Sequence, residues 1–188
     1  MPTNRKTIKT LGSDRVIFLS GEVTESNSVD IAKQLFALDK KSNKDILLII
    51  NSDGGNIEDG IFLANTFKLL KSDVAILVPS NAQSTGTFLL ASGTKGKRIV
   101  MPGAVAMMHG SIYSMSELPH KVQKSDVDFQ EGRENYIAQR LADCGYKHKE
   151  HSLTSEYHHY VGIEIINVGL ADIMINSLEE LHKIINII

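Results

Sequence analysis

The sequence contains a single cysteine, Cys144, and no tryptophan. One cysteine cannot form an intramolecular disulfide, which excludes a disulfide-stapled secreted domain and favours a reducing, cytoplasmic location. The longest apolar runs, such as Ile46–Ile50 and Val74–Val78, are far shorter than the roughly 20 residues of a membrane helix. The polar start, Met1–Thr10, has no apolar core segment, so no secretory signal is predicted.

The sequence also lacks an excess of charge of either sign. Twenty Lys and Arg residues face 22 Asp and Glu residues, for a formal net charge of −2. The basic residues form no stripe, so no nucleic-acid partner is expected. Charged residues make up 22% and hydrophobic residues 42% of the 188 positions, which is typical of a globular chain. We predict a loose arm over residues 1–14 and one domain over residues 15–188.

Apolar runs alternate with amphipathic stretches along this domain. Asp45–Asn51 is apolar on both faces, as a buried parallel strand would be. Helices are predicted at Ser28–Lys40, with Ser28 as N-cap, and from an Asn56 cap to about Lys71. The other predicted elements are strands at Arg15–Ser20, Val74–Val78, Arg98–Met101, Ala104–Met108 and Ala171–Ile175, a loop at Pro79–Gln83, and helices at Ser84–Ala91 and from Ser177. This alternation predicts the α/β class.

A long, mostly polar helix is predicted between Ser116 and Cys144. Its apolar positions are sparse: Leu118, Val122, Phe129, Tyr136 and Leu141. Gly145 is predicted to end the helix. Because so few apolar residues cannot make a core helix, we expect this stretch to project from the domain or to pack at a subunit interface.

Three predicted strand ends carry residues suited to acyl transfer. The segment Asp53–Gly55 holds two glycines, whose N–H groups can point at an oxyanion. Ser84 opens a short helix, where the positive N-terminal field favours a nucleophile, and His109 follows a strand, where it can act as a general base. Taken singly, each feature has an ordinary structural explanation: a turn for the glycines, an N-cap for Ser84 and a surface position for His109. Their placement at successive strand ends indicates a site.

Four other histidines lie close together in the sequence: His148, His151, His158 and His159. No cysteine or carboxylate recurs near them at a zinc-site spacing, and Lys147 and Lys149 indicate a solvated segment. We therefore predict no metal and no other cofactor. Cys144 has little basic surrounding in the sequence, so it is not predicted to be a reactive thiol.

At these loops the sequence resembles the Clp protease proteolytic subunit, the ClpP family of serine peptidases. The matching stretches are Arg15–Gly21, Ile50–Gly55, Phe88–Arg98, Met107–His109 and Gly169–Asp172. The resemblance implies a ClpP/crotonase-type fold, which is a spiral of β-β-α units. It also implies that the helix at residues 116–144 is a handle joining two seven-membered rings into a tetradecamer.

The resemblance also implies roles for individual residues. By position, Ser84 matches the nucleophile and His109 the general base. Gly55 and Thr85 match the residues whose backbone N–H groups form the oxyanion hole. The implied activity is a cofactor-free serine endopeptidase acting on unfolded proteins or peptides.

The sequence departs from the family at the third catalytic position. Counted back from Gly169–Asp172, the family's catalytic aspartate falls on Tyr157, with Glu156 adjacent. Loss of this acid costs on the order of 10⁴ in rate. Ser84 and His109 therefore form a dyad, a triad completed by Glu156, or a weakened site.

Other departures concern charge and partners. Asp53 stands where the family usually has proline, and a carboxylate there adds negative charge near a developing oxyanion unless it points away. Residues 1–14 show no counterpart of the family's axial loop, and Ile46–Ile50 lacks the tyrosines of its ATPase docking pocket. Both differences argue against coupling to a Clp-type ATPase. Asp172 matches a family position outside the triad.

Three functions are therefore compared. The leading prediction is a ClpP-like serine endopeptidase in a ring-shaped homo-oligomer. The second is a catalytically weakened ClpP-like assembly subunit, which Tyr157 in place of the acid would explain. The third is a crotonase-type acyl-CoA enzyme, and the pairing of Ser84 with His109 argues against it.

Overall fold

The computed structural model describes residues 13–109, 124–147 and 157–186. The predicted arm over residues 1–14 lies almost entirely outside the described residues. After a 3-10 turn at Ser13–Arg15, the strands are β1 (Val16–Ser20), β2 (Ile46–Asn51), β3 (Val74–Val78), β4 (Asn81–Gln83), β5 (Arg98–Val100), β6 (Val105–Met108), β7 (His158–Val161) and β8 (Ile173–Met174). The helices are α1 (Glu25–Lys41), α2 (Ile57–Leu69), α3 (Thr85–Ser92), α4 (Lys124–Asp143), α5 (Ile163–Asn167) and α6 (Leu178–Ile184).

The strands form two sheets. The larger sheet is parallel, with the strand order β1-β2-β3-β5-β8. In the smaller sheet, β6 lies between β4, which is parallel to it, and β7, which is antiparallel. A single bridge between Ser52 and Ala82 joins the end of β2 to β4. The predicted mixed α/β class is confirmed.

Strand β2, which lies between β1 and β3, has apolar neighbours on both faces, as its continuous apolar run predicts. Ile46, Leu48 and Ile50 lie in the main core, which also contains buried residues of α1, α2 and α3. Leu47 points to the opposite face, where it lies in a second cluster with Leu181 of α6. The larger sheet is therefore covered on both faces, by the main core on one side and by the second cluster on the other.

Helix α1 begins three residues earlier than predicted. Thr24, not Ser28, is the N-cap: its side chain accepts the Asn27 N–H at 3.4 Å, and the Asn27 side chain accepts the Thr24 N–H at 2.9 Å. This reciprocal capping box stabilises the earlier start. Ser28 is instead buried inside the helix, and its hydroxyl donates to the carbonyl of Glu25.

Helix α2 begins at the predicted cap, because the Asn56 side chain accepts the N–H groups of Glu58 and Asp59. Leu63 and Phe67 are buried on its inner face, and three half-buried side chains pack against the same core: Ile57, Ile61 and Leu70.

Two strands of the smaller sheet differ from the sequence prediction. The loop predicted at Pro79–Gln83 is wrong in part, because Asn81–Gln83 forms β4 and pairs with β6 from Asn81↔Val105 to Gln83↔Met107. Strand β7 has no counterpart in the prediction. Its residues alternate between half-buried and exposed, so it lacks the apolar run by which the other strands are recognised.

Helix α4 falls within the stretch predicted as the handle; residues 116–123 lie outside the described residues. Ile137 and Leu141 are buried, whereas Phe129 and Tyr136 are 62% and 41% exposed. Arg133 forms an ion pair with Glu58 at the start of α2. In the described ranges no helix is both long and apolar enough to span a membrane.

A buried ion pair ties β5 to the segment before β8. Arg98 donates to both carboxylate oxygens of Asp172, at 2.9 and 2.6 Å, and its side chain is 3% exposed. The Gly96 N–H donates to the same carboxylate at 2.7 Å. Burial alone would raise the pKa of Asp172, but the hydrogen bonds and charge of Arg98 lower the pKa below its ordinary value of 3.8.

Replacing Asp172 by asparagine is expected to lower the free energy of unfolding by about 3 kcal/mol, because Arg98 keeps its buried charge without a partner. A lowered folded-state pKa stabilises the fold above the unfolded value, and this contribution is lost as pH falls through the folded value. Denaturant titrations between pH 7 and pH 2.5 should show a steeper acid loss for the wild type than for the variant. Asp30→Asn, which removes an exposed pair with Lys33, should change stability by under about 0.5 kcal/mol.

Candidate active site

Ser84 has a strained backbone at the turn from β4 into α3. Its φ and ψ are 50° and −117°, and it is the one non-glycine residue with positive φ in the described ranges. It occupies the N-cap position of α3, yet its side chain makes no capping hydrogen bond. A capping hydrogen bond therefore does not account for the serine at this position. Strain without a capping bond is typical of residues held in place for function.

The neighbouring strand fixes this turn. The Ser84 N–H donates to the Met107 carbonyl of β6 at 2.7 Å. The Thr87 hydroxyl lies 2.6 Å from the Ala82 carbonyl and 2.9 Å from that of Met107, and it accepts the Met107 N–H at 3.1 Å. Sequence reasoning missed Thr87, because its partners become visible only once β4 and β6 are paired.

The Asp53–Gly55 segment packs directly against Ser84. A Cβ atom at Gly54 would lie 2.8 Å from Ser84 Cβ and 3.4 Å from Ser84 Oγ. Gly54 and Gly55 have φ values of 109° and 139°, which other residues rarely adopt. The glycines therefore allow a close approach of the backbone to Ser84.

Gly55 and Thr85 are held together beside this serine. The Thr85 hydroxyl donates to the Gly55 carbonyl at 2.9 Å. Thr85 is the first residue of α3, so its N–H has no acceptor inside the helix. The Gly55 N–H donates no backbone hydrogen bond within the described part of the chain. Two free N–H groups next to a serine can stabilise a developing oxyanion.

Strands β4 and β6 carry Ser84 and His109 at the same end of the smaller sheet, because the two strands run in parallel. Gln83 and Met107 are register partners in β4 and β6, so Ser84 and His109 follow one and two residues beyond the same rung. The smaller sheet then brings Tyr157 to His109, because Met108 pairs with His158 in antiparallel register. The two rings are 5.4 Å apart, tilted by 44°.

Tyr157 thus contacts the predicted base from the position of the family's aspartate. It is 55% exposed, and its ring also stacks on His159 at 6.4 Å. Glu156, the other predicted third member, lies outside the described residues, as do His148 and His151. Among the described residues no group of three or more His, Cys, Asp or Glu side chains is arranged to hold a metal ion.

Asp53 and Cys144 have their own local environments, separate from the N–H groups of Gly55 and Thr85. The Asp53 carboxylate is bound by the side chains of Asn81 and Gln83 and not by the N–H groups of Gly55 or Thr85. Cys144 follows α4, and burial raises the pKa of its thiol, which makes the thiol less reactive at neutral pH.

A comparison with known protein families identifies the family to which the chain belongs. A family model described as Clp protease matches residues 3–157, most of the chain. The chain belongs to the Clp protease family, and with its mixed α/β architecture this confirms the ClpP/crotonase-type fold.

One similar protein is the ATP-dependent Clp protease proteolytic subunit 2 of Prochlorococcus marinus (strain MIT 9312). The two sequences are 38% identical over 121 residues, which is 64% of this chain. The chain spans 58% of the length of that relative.

Proposed function

We propose that this chain is a ClpP-like serine endopeptidase that hydrolyses peptide bonds of unfolded proteins or peptides. The observation that carries the proposal is the backbone of Ser84, held at φ 50° without a capping bond and packed against the paired glycines. Family membership supports the same chemistry. A crotonase-type acyl-CoA enzyme does not need a serine–histidine pair, so the presence of Ser84 and His109 argues against that function.

In the proposed reaction, His109 accepts the proton of Ser84 Oγ while that oxygen bonds to the carbonyl carbon of the scissile peptide. The N–H groups of Gly55 and Thr85 stabilise the resulting oxyanion. His109 then returns the proton to the leaving amine as the C–N bond breaks. Water, deprotonated by His109, finally adds to the acyl-enzyme and releases the second product with Ser84 restored.

Tyr157 gives this site a different third member. A tyrosine hydroxyl is uncharged at neutral pH, so it cannot stabilise the imidazolium as a carboxylate does. Its ring can still restrict the orientation of the His109 ring, which it contacts at 5.4 Å, and aromatic contacts of this kind contribute about 0.5–1.5 kcal/mol. We propose a Ser84–His109 dyad positioned by Tyr157.

Replacing Tyr157 by aspartate is expected to raise kcat/KM by roughly 10- to 100-fold over Tyr157→Asn, because only the carboxylate adds charge next to His109. Tyr157→Phe should remain within about twofold of the wild type, since the ring is kept. Peptide hydrolysis at pH 7 measures all three variants. Equal rates for the Asp and Asn variants, together with a large loss in Glu156→Gln, would assign the third position to Glu156.

We further propose that the chain assembles into two stacked seven-membered rings. The support is family membership and α4, which exposes Phe129 and Tyr136. Light scattering during size-exclusion chromatography should give about fourteen times the chain mass of 20.7 kDa. A monomer would contradict the ring.

The second candidate function is a weakened subunit that serves assembly alone, which Tyr157 at the acid position favours. A fluorophosphonate probe separates the two functions, because it bonds only to an activated serine. We expect stoichiometric labelling of the native protein, mapped by mass spectrometry to Ser84, and none after heat denaturation. Assembled particles that do not label would overturn the peptidase and leave the assembly subunit.

A further inference from the structure

Asp53, Asn81 and Gln83 form an amide–carboxylate cluster at the surface. Asp53 Oδ1 accepts hydrogen bonds from Asn81 Nδ2 at 2.6 Å and from Gln83 Nε2 at 3.3 Å. Gln83 Nε2 also donates to Asn81 Oδ1 at 2.9 Å. Asn81 and Gln83 are two residues apart on β4, so their side chains share one face of the strand. Two amide side chains therefore fix one exposed carboxylate.

This cluster adjoins the proposed reacting atoms. Asp53 is bonded to Gly54, where an added Cβ would touch Ser84, and Gln83 directly precedes Ser84. A bound peptide extends about 3.3 Å per residue in each direction from its scissile bond. Side chains within two residues of that bond can therefore reach the neighbourhood of the carboxylate.

The cluster orients the carboxylate without neutralising it. Both donors are neutral amides, and Asp53 forms no ion pair with a lysine or arginine in the described ranges. Its second oxygen, Oδ2, accepts no hydrogen bond from the residues that the structure describes. One oxygen is thus held in place and the other is available to a ligand.

The hydrogen bonds by themselves do not explain why position 53 carries a charged side chain. An asparagine at position 53 would accept the same two bonds with its side-chain oxygen. A carboxylate near an oxyanion hole opposes the developing negative charge, which a neutral side chain would not do. A cation supplied by the substrate removes this opposition and binds the free oxygen.

We infer that Asp53 is a specificity-determining residue that selects peptides with a lysine or arginine side chain within two residues of the scissile bond. This inference rests on the proposed function. Asn81 and Gln83 are positioning residues that hold the carboxylate. The contact is a partly exposed ion pair, so its effect is moderate and depends on ionic strength.

The test uses quenched fluorescent peptides that differ at one position between lysine and norleucine, a side chain of similar length without charge. The position is moved in turn through the two residues on each side of the scissile bond. At low salt we expect the lysine peptide to be favoured about three- to fivefold in kcat/KM at one or more positions. The preference should shrink in about 0.5 M salt.

Asp53→Asn keeps the hydrogen bonds and removes the charge, so its lysine-to-norleucine ratio should fall to about one. Asp30→Asn, an equal charge change on the exposed face of α1, should keep the wild-type ratio. A ratio near one in the wild type, or a preference that survives Asp53→Asn, overturns the inference alone.

Fluorophosphonate labelling in the same samples separates this failure from that of the proposed function. Ser84 that labels in a protein that cleaves the lysine and norleucine peptides at equal rates overturns the inference and leaves the proposed function standing. Ser84 that neither labels nor supports cleavage overturns the proposed function, and the inference with it.

Discussion

Alanine at position 84 is expected to lower kcat by roughly 10² or more, because a complete triad contributes about 10⁶ and the loss of its acid already removes about 10⁴. Ser84 Oγ is the atom proposed to form the acyl bond, and the hydroxyl of the neighbouring Thr85 is bound to the Gly55 carbonyl. Because a nucleophile and its base act as a unit, His109→Ala should cost nearly as much. The double variant should lose no more than either single variant.

Steady-state kinetics on one unstructured peptide measures this cycle, and circular dichroism confirms that each variant is folded. Ser92→Ala is the matched control at the other end of α3. The Ser92 hydroxyl is buried and has no hydrogen-bond partner within the described ranges, so its removal should leave kcat unchanged. If the loss of kcat in the double variant equals the product of the two single losses, Ser84 and His109 act independently.

The fold could be predicted from the sequence wherever burial leaves a pattern. Strand β2 has apolar residues on both faces, and this run predicts a buried strand of the parallel sheet. Asn56 caps α2 as predicted, and Ser177, the predicted start of the last helix, is the N-cap of α6. The N-cap of α1 could not be predicted in the same way. Ser28 and Thr24 both offer a hydroxyl, and the Asn27 side chain, which completes a capping box with Thr24, makes Thr24 the cap.

The smaller sheet could not be predicted from the sequence, for a physical reason. Strand β4 has three residues and β7 alternates between half-buried and exposed positions, so neither carries enough apolar residues to identify it. Their pairing with β6 is set by tertiary contacts such as those of the Thr87 hydroxyl. Asn81 and Gln83 share one face because residues 81–83 form a strand.

Parts of the site could be predicted from local signals in the sequence. Paired glycines, a serine at a helix start and a histidine after a strand are signals of this kind, and the fold brings Gly55, Ser84 and Thr85 together. The strain at Ser84 and its missing cap are not local signals, since serine is a common N-cap. They favour a functional explanation of Ser84 over a structural one.

Alanine at position 55 is expected to lower kcat by about 10²–10³, the effect of removing one donor of an oxyanion hole. Gly55 has φ 139°, and its added Cβ would lie 2.5 Å from the backbone nitrogen of Val23 and closer still to the Val23 carbonyl oxygen. These are backbone atoms that cannot rotate away. The loop must therefore move, and the Gly55 N–H moves with it.

The same movement strains hydrogen bonds that hold the loop. The Val23 N–H donates to the Gly54 carbonyl at 2.7 Å, and the Asn56 N–H donates to the Val23 carbonyl at 2.9 Å. We expect the free energy of unfolding to fall by about 2 kcal/mol. Urea titration gives this loss, and kinetics well below the unfolding transition gives kcat for the folded fraction.

Gly103→Ala separates backbone strain from catalysis. Gly103 also has positive φ, 78°, but a Cβ there meets no atom within 4 Å. This variant should lose about 1 kcal/mol of stability and keep the wild-type kcat. If Gly55→Ala loses stability in the same way yet keeps its kcat, the Gly55 N–H is not an oxyanion donor. If its kcat falls while KM holds, the loss lies in the transition state, where an oxyanion donor acts.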